Sequence, residues 1–254
     1  MVDLRYRVDG PAGGPPLVLG NSIGTTAELW DGQMPAFAAH FRVVRYEHRG
    51  HGGSPAPPGP YTIDELTGDV LGLLDRLGIE RASFAGISLG AMVAMRIATT
   101  EPDRTDRLAL CCTSAGLGRP DHWADRAATV RRDGMAVMTD VVLDRWLTPA
   151  FREQQPDAVA QLVKTFESID PEGYAGCCEA IGAVDQLGTI GAITAPTLVV
   201  AGGADPATPP FHAEAIHERI AGSTMVVLDD AAHLANLDQP AAFTAAVLTH
   251  LRGH

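Results

Sequence analysis

Gly86-Ile87-Ser88-Leu89-Gly90-Ala91 stands between two runs of different character. Before it lies the apolar run Ala82-Ser83-Phe84-Ala85; after it, small apolar residues from Leu89 to Thr99 read as a helix packed tightly on a sheet. G-x-S-x-G between a strand and a helix marks a sharp turn that thrusts a serine hydroxyl outward. The glycines are needed because flanking side chains would clash in that turn. A helix beginning at Leu89 aims backbone N–H groups at the same place, where a negative oxygen would be stabilised. The pentapeptide alone does not separate a working nucleophile from a polar residue in a glycine-rich turn.

Outward from this turn, short apolar runs alternate with helical segments. The strand candidates are Pro16–Leu19, Arg42–Tyr46, Ala82–Ala85, Arg107–Cys112, Thr197–Ala201 and Met225–Leu228. Several are nearly continuous in Leu, Val, Ala and Phe, as strands covered on both faces should be. Leu4–Val8 alternates apolar and polar and ends at Asp9-Gly10, which suits an edge hairpin. Thr62, with Glu65 three residues on, reads as the cap of a helix that carries Leu66, Val70, Leu73, Leu74 and Leu77 and stops at Gly78. Pro240 to Leu251 reads as a closing helix. The alternation predicts an α/β fold, a mainly parallel sheet with helices on both faces.

From about 117 to 187 the rhythm breaks. No strand is evident there, and helices are separated near Gly134, Pro149, Pro156 and Pro171. Residues 117–187 are read as an inserted helical lid, and 1–116 with 188–254 as the core.

Composition narrows the class. The chain has 254 residues, 46% of them hydrophobic, enough for one substantial core. A net charge of −12 argues against nucleic acid and anionic membranes as partners. The first residues carry charges and no long apolar run, so neither a signal peptide nor a membrane span is expected, and a cytoplasmic location is. Four cysteines form two adjacent pairs, Cys111-Cys112 and Cys177-Cys178, without metal-ligand spacing; reduced thiols and no metal site are expected.

A serine hydroxyl needs a base. Of nine histidines, His233 stands out, because Asp229-Asp230-Ala231-Ala232-His233 follows the last apolar run. His40, His122, His212, His217, His250 and His254 fall in helices or at ends and read as solvated. His48 and His51 flank a turn that reads as structural, with a place at the pocket's border as the alternative. The orienting acid is read as Asp205, in the loop after Thr197–Ala201, since ligand sites in such sheets lie at the carboxyl ends of strands. Asp229 and Asp230 are rivals, but too near His233 in sequence to orient it easily. The order Ser88, Asp205, His233 is the serine–acid–histidine order of strand–turn–helix hydrolases. An oxyanion site would use the backbone N–H of Leu89 and a second donor, Ser22 or Ile23, in the loop Leu19–Gly24.

With these residues in view, the chain resembles the α/β-hydrolases over its full length, and more narrowly the 3-oxoadipate enol-lactone hydrolases of protocatechuate degradation. The resemblance is carried by LVLGNSIGTTAELWDGQMPAFAAHFRVVRYEHRGHGGS, by PPGPYTIDELTGDVLGLLDRLGIERASFAGISLGAM, by the lid pieces GMAVM, LDRWLTPAFR and DPEGYAGCCEAI, and by APTLVVAGGADPATPP and DDAAHLANLDQPAAFT. The chain departs from the usual pattern at Glu47-His48, where Asp-Thr is common. Asn21-Ser22 stands where many relatives carry His-Gly, and Leu89 and Ala91 where Met and Gly are frequent. The resemblance implies an eight-stranded, mainly parallel sheet with a helical lid. It also implies hydrolysis of an enol-lactone through an acyl-Ser88, with no cofactor.

Such a substrate is a small anionic lactone and needs a positive group in its pocket. Trp123 and Arg126, spaced i, i+3, share one face of a lid helix. Arg126 is a candidate for the carboxylate and Trp123 for the wall. The alternatives are a solvated arginine and a lid-core tryptophan. Trp30 and Trp146 read as packing residues. Rival functions are a general carboxylesterase, a carbon–carbon hydrolase, or a ligand-binding protein on a hydrolase frame. A dehalogenase or epoxide hydrolase would carry an acid at position 88. Oligomeric state is not legible in the sequence.

Overall fold

The computed structural model describes residues 1–253. Seven strands form one sheet: β1 (Tyr6–Asp9), β2 (Pro16–Gly20), β3 (Arg42–Tyr46), β4 (Ala82–Ile87), β5 (Thr105–Cys111), β6 (Thr197–Gly202) and β7 (Thr224–Leu228), in the spatial order β1-β3-β2-β4-β5-β6-β7. All neighbours are parallel except β1, which runs antiparallel to β3. The sheet has seven strands among the described residues, not the eight expected.

The expected edge hairpin does not form. β1 is an edge strand, but its partner is β3, with Tyr6 opposite Tyr46, and not the sequence-adjacent β2. Both sides of β2 are occupied by parallel partners, β3 and β4, so β3 offers the free edge. β2, β4 and β6 are buried almost throughout, whereas β7, at the other edge, is only half covered.

The helices begin with α1 (Met34–Phe37), α2 (Ile63–Arg76) and α3 (Leu89–Thr100). α2 has the capping box expected: the Thr62 hydroxyl accepts the Glu65 N–H at 3.2 Å, and the Glu65 carboxylate accepts the Thr62 N–H at 2.9 Å. Between β5 and β6 the chain makes α4 (Pro120–Asp133), α5 (Thr139–Trp146), α6 (Pro149–Gln154), α7 (Pro156–Glu167) and α8 (Pro171–Ala183), and no strand. Gly134 caps α4, and α6, α7 and α8 each open on a proline, whose missing N–H costs nothing in a first turn. After β6 come α9 (Pro210–His217) and, beyond β7, α10 (Ala235–Asp238) and α11 (Pro240–Leu251). No helix among the described residues is long and apolar enough to cross a membrane.

Candidate active site

β4 runs two residues beyond the expected strand, so Gly86 and Ile87 still pair with Leu110 and Cys111 of β5. The chain then reverses into α3 within one residue, Ser88, which adopts φ 55° and ψ −115°. A side chain seldom occupies that region, and such strain is held only where the surroundings over-determine it. Here they do. The Ser88 N–H donates to the Cys111 carbonyl at 3.0 Å, and its own carbonyl accepts the Thr113 hydroxyl at 2.9 Å. The neighbouring glycines make the turn possible. A Cβ on Gly86 would meet the Ala91 nitrogen at 2.4 Å, and one on Gly90 would meet the Gly20 backbone at 2.3 Å.

His233 and Asp205 arrive from two other loops at the same end of the sheet. Both are buried. Asp205 Oδ2 accepts His233 Nδ1–H at 2.8 Å. The same carboxylate accepts the Thr208 hydroxyl at 2.7 Å and the N–H groups of Ala207 and Thr208 at 2.7 and 3.0 Å. Burial pushes the Asp205 carboxyl upward, but His233 and the Thr208 donors outweigh it and hold its pKa below the ordinary value. A histidine that donates through Nδ1 presents the Nε2 lone pair as a base. Asp229 and Asp230, the rival acids, are exposed.

Ser88 and His233 line one cavity of about 40 Å³ with Ile23, Leu117, Trp123, Arg126, Val142, Arg145, Trp146, Ala207 and Thr208. Ile23 borders this cavity and Ser22 does not. The N–H of Ile23 has no protein acceptor among the described residues, and that of Leu89, first in α3, has none within its helix. Ser88, His233 and Ile23 thus line one cavity, and Leu89 directly follows Ser88 at the start of α3.

The loop that carries Ile23 is held by three buried side chains of the turn after β3. His48 Nε2 donates to the Asn21 carbonyl at 2.9 Å. His51 Nε2 accepts the Gly24 N–H at 2.9 Å while its Nδ1 donates to the Arg49 carbonyl. Burial lowers both imidazoles, to about 4 and about 3, so both are neutral, as these bonds require. Glu47 accepts the Ala27 N–H at 3.0 Å. Burial raises the Glu47 carboxyl to about 7, against the opposing pull of that bond.

Trp123 and Arg126 both reach the cavity from α4, and Arg126 is buried rather than solvated. Its guanidinium carbon lies 5.4 Å from the Trp123 ring centre and 5.3 Å from that of Tyr174, and it donates to the Tyr174 hydroxyl. Its Nε is buried without a partner. Sequence reasoning missed Arg145 and assigned Trp146 to packing, yet both line the cavity. Their spacing with Val142, at i, i+3 and i+4, was the available signal. Trp30 is a packing residue, fully buried, with Nε1 donating to Asn21. His212, His217 and His250 are half-buried and bonded, to Ser114, Ser223 and Pro196, rather than solvated. His254 lies outside the described residues. All four cysteines are buried free thiols.

Comparison with known proteins places this geometry. Residues 15–240 match the alpha/beta hydrolase fold family. The 3-oxoadipate enol-lactonase 2 of Acinetobacter baylyi is 39% identical over 246 residues, which cover 97% of this chain and 92% of that protein. The 3-oxoadipate enol-lactonase 1 of the same organism is 32% identical over 240 residues, covering 94% and 90%. The crystal structure of the enol-lactonase from Burkholderia xenovorans superposes with a TM-score of 0.96 at 44% identity, covering 98% of this chain and 96% of that one. The chain is an α/β-hydrolase: it belongs to that family, and to its ester-hydrolysing serine enzymes.

Proposed function

We propose that the protein hydrolyses 3-oxoadipate enol-lactone, with Ser88 as nucleophile, His233 as base and Asp205 as the group that orients His233. In this reading His233 Nε2 takes the Ser88 proton as the hydroxyl attacks the lactone carbonyl. The N–H groups of Leu89 and Ile23 hold the oxyanion. The ring C–O bond breaks, the departing enol oxygen takes the proton held by His233, and the enol, still tethered to the acyl-Ser88, tautomerises to the ketone. Water, deprotonated by His233, then releases 3-oxoadipate. An enolate leaves more readily than an alkoxide, so little acid assistance is needed.

The observation that carries the reading is the cavity lined by Ser88, His233 and Arg126, a buried cation with no carboxylate partner among the described residues. A plain esterase has no need of such a cation; a lactone with a carboxylate does. Similarity to enol-lactonases over nearly the full length supports the same substrate. Residues 117–187 are read as the lid, with 1–116 and 188–254 as the core. Kinetics on the enol-lactone, formed enzymatically from 4-carboxymuconolactone, test the proposal against p-nitrophenyl acetate. A far larger kcat/KM on the lactone is expected; equal or greater efficiency on the acetate would make the protein a general esterase.

A further inference from the structure

Acidic residues outnumber Lys and Arg in this chain by 31 to 19. Most arginines accordingly find a carboxylate: Arg49 bonds Asp69, Arg45 bonds Asp9 and Asp31, and Arg131 bonds Glu172 and Glu179. Arg145 is different. It is half-buried on α5 and lines the Ser88 cavity, yet its side chain makes no hydrogen bond or ion pair among the described residues. Arg126, in the same cavity wall, also lacks a carboxylate and leaves Nε unbonded. Arg119, at the start of α4, is exposed and its side chain is likewise unpaired among the described residues.

These cations oppose one another. After burial, the charges of Arg126 and Arg119 lower the pKa of Arg145, and the nearby Tyr174 only partly offsets them. His122, between them on α4, is lowered first by burial and then by Arg145, Arg126 and Arg119, with Asp125 acting the other way. Neither Asp121 nor Asp125 forms an ion pair with any of them. Mutual repulsion without a counter-ion costs stability and is retained where a ligand supplies the missing charge.

We infer that Arg145 is a specificity-determining residue, a second carboxylate-reading cation that shares the wall of the Ser88 cavity with Arg126 and draws anionic acyl substrates to it. This rests on the reading of Ser88 as the nucleophile of that cavity. The ligand class is a small ester or lactone whose acyl part ends in a carboxylate. A strongly negative protein repels such a ligand at long range, so two arginines without carboxylate partners in the cavity wall raise its local concentration there. Arg145 and Arg126 thus act in sequence on one carboxylate.

The test is a ratio of kcat/KM values: 4-nitrophenyl hydrogen succinate, which carries the carboxylate, against neutral 4-nitrophenyl butanoate. Arg145→Gln should lower this ratio by about tenfold, the scale of one hydrogen bond to a charged group, and Arg145→Lys should restore most of it. Raising salt from about 0.02 to about 0.5 M should lower the wild-type ratio more steeply than that of Arg145→Gln. The unfolding temperature of Arg145→Gln should equal or exceed that of the wild type, because a repulsion has been removed. A ratio unchanged by Arg145→Gln, with both esters turned over, would overturn the inference and leave the nucleophile reading standing. Turnover of neither ester would remove both.

Discussion

His233 Nδ1 lies 2.8 Å from Asp205 Oδ2, and this bond, with that of the Ala204 N–H to the Ala231 carbonyl, ties the loop after β6 to the loop after β7, whose His233 lines the Ser88 cavity. It fixes the imidazole tautomer and leaves Nε2 facing the cavity as acceptor. Asp205→Asn keeps the shape but offers an amide that donates as readily as it accepts. We expect kcat to fall by about 10²- to 10⁴-fold with little change in KM, read from steady-state kinetics. Unchanged kcat would remove Asp205 from the orienting role.

The same carboxylate makes a stability prediction. Its folded pKa is depressed, so its contribution is present above the unfolded value of about 3.9 and is lost as pH falls through the folded value. Chemical unfolding from pH 6 down to pH 3 should show the wild type losing stability in this acid range more steeply than Asp205→Asn.

Glu47 predicts the opposite slope. Its carboxyl is raised to about 7 chiefly by burial, so the folded state holds a proton that the unfolded chain has released. Stability therefore falls as pH rises from the unfolded value of about 4.3 toward 7, by up to about 3 kcal/mol. Glu47→Gln keeps an oxygen for the Ala27 N–H without the charge. Its unfolding temperature should match the wild type at about pH 4 and exceed it at about pH 8. Parallel curves across that range would show that Glu47 does not titrate on folding.

Ser88 holds φ 55°, a conformation that glycine adopts without a Cβ penalty. Ser88→Gly should abolish turnover and yet stabilise the fold by about 1 kcal/mol, seen as a higher midpoint in urea. A lower midpoint would mean that the hydroxyl contributes more than the turn costs.

Asp238 bridges the helical insertion and the His233 loop. Oδ1 accepts the Thr148 N–H and hydroxyl at 3.2 and 2.8 Å, and Oδ2 accepts the Ala232 N–H at 2.8 Å. Asp238→Ala frees those donors and should cost about 2 kcal/mol of stability, together with a fall in kcat as His233 loses its support. Stability lost with kcat intact would show that the bridge does not position His233.

Much of this was legible in local sequence. GISLG between an apolar run and a small-residue helix fixes the turn at Ser88 because its steric demand is met within five residues. Asp205 and His233 meet because each follows a parallel strand, the buried β6 and the half-covered edge strand β7, and parallel topology brings strand ends together. The pairing of β1 with β3 was not readable, since alternation from Leu4 to Val8 says which face is buried but not which neighbour is free. Arg145 escaped for a similar reason. Val142, Arg145 and Trp146 share one face of α5 by spacing, but spacing does not report that this face meets the Ser88 cavity. The bonds of His48 and His51 to the Ile23 loop likewise join residues about 27 apart and leave no local mark.

The most direct measurement is the rate of 3-oxoadipate enol-lactone ring opening by Ser88→Ala beside the wild type, with the fold of both checked by circular dichroism. The account predicts rapid hydrolysis by the wild type and a loss of about 10⁴-fold or more in kcat for a folded Ser88→Ala. Wild-type turnover of the lactone by that variant would contradict it.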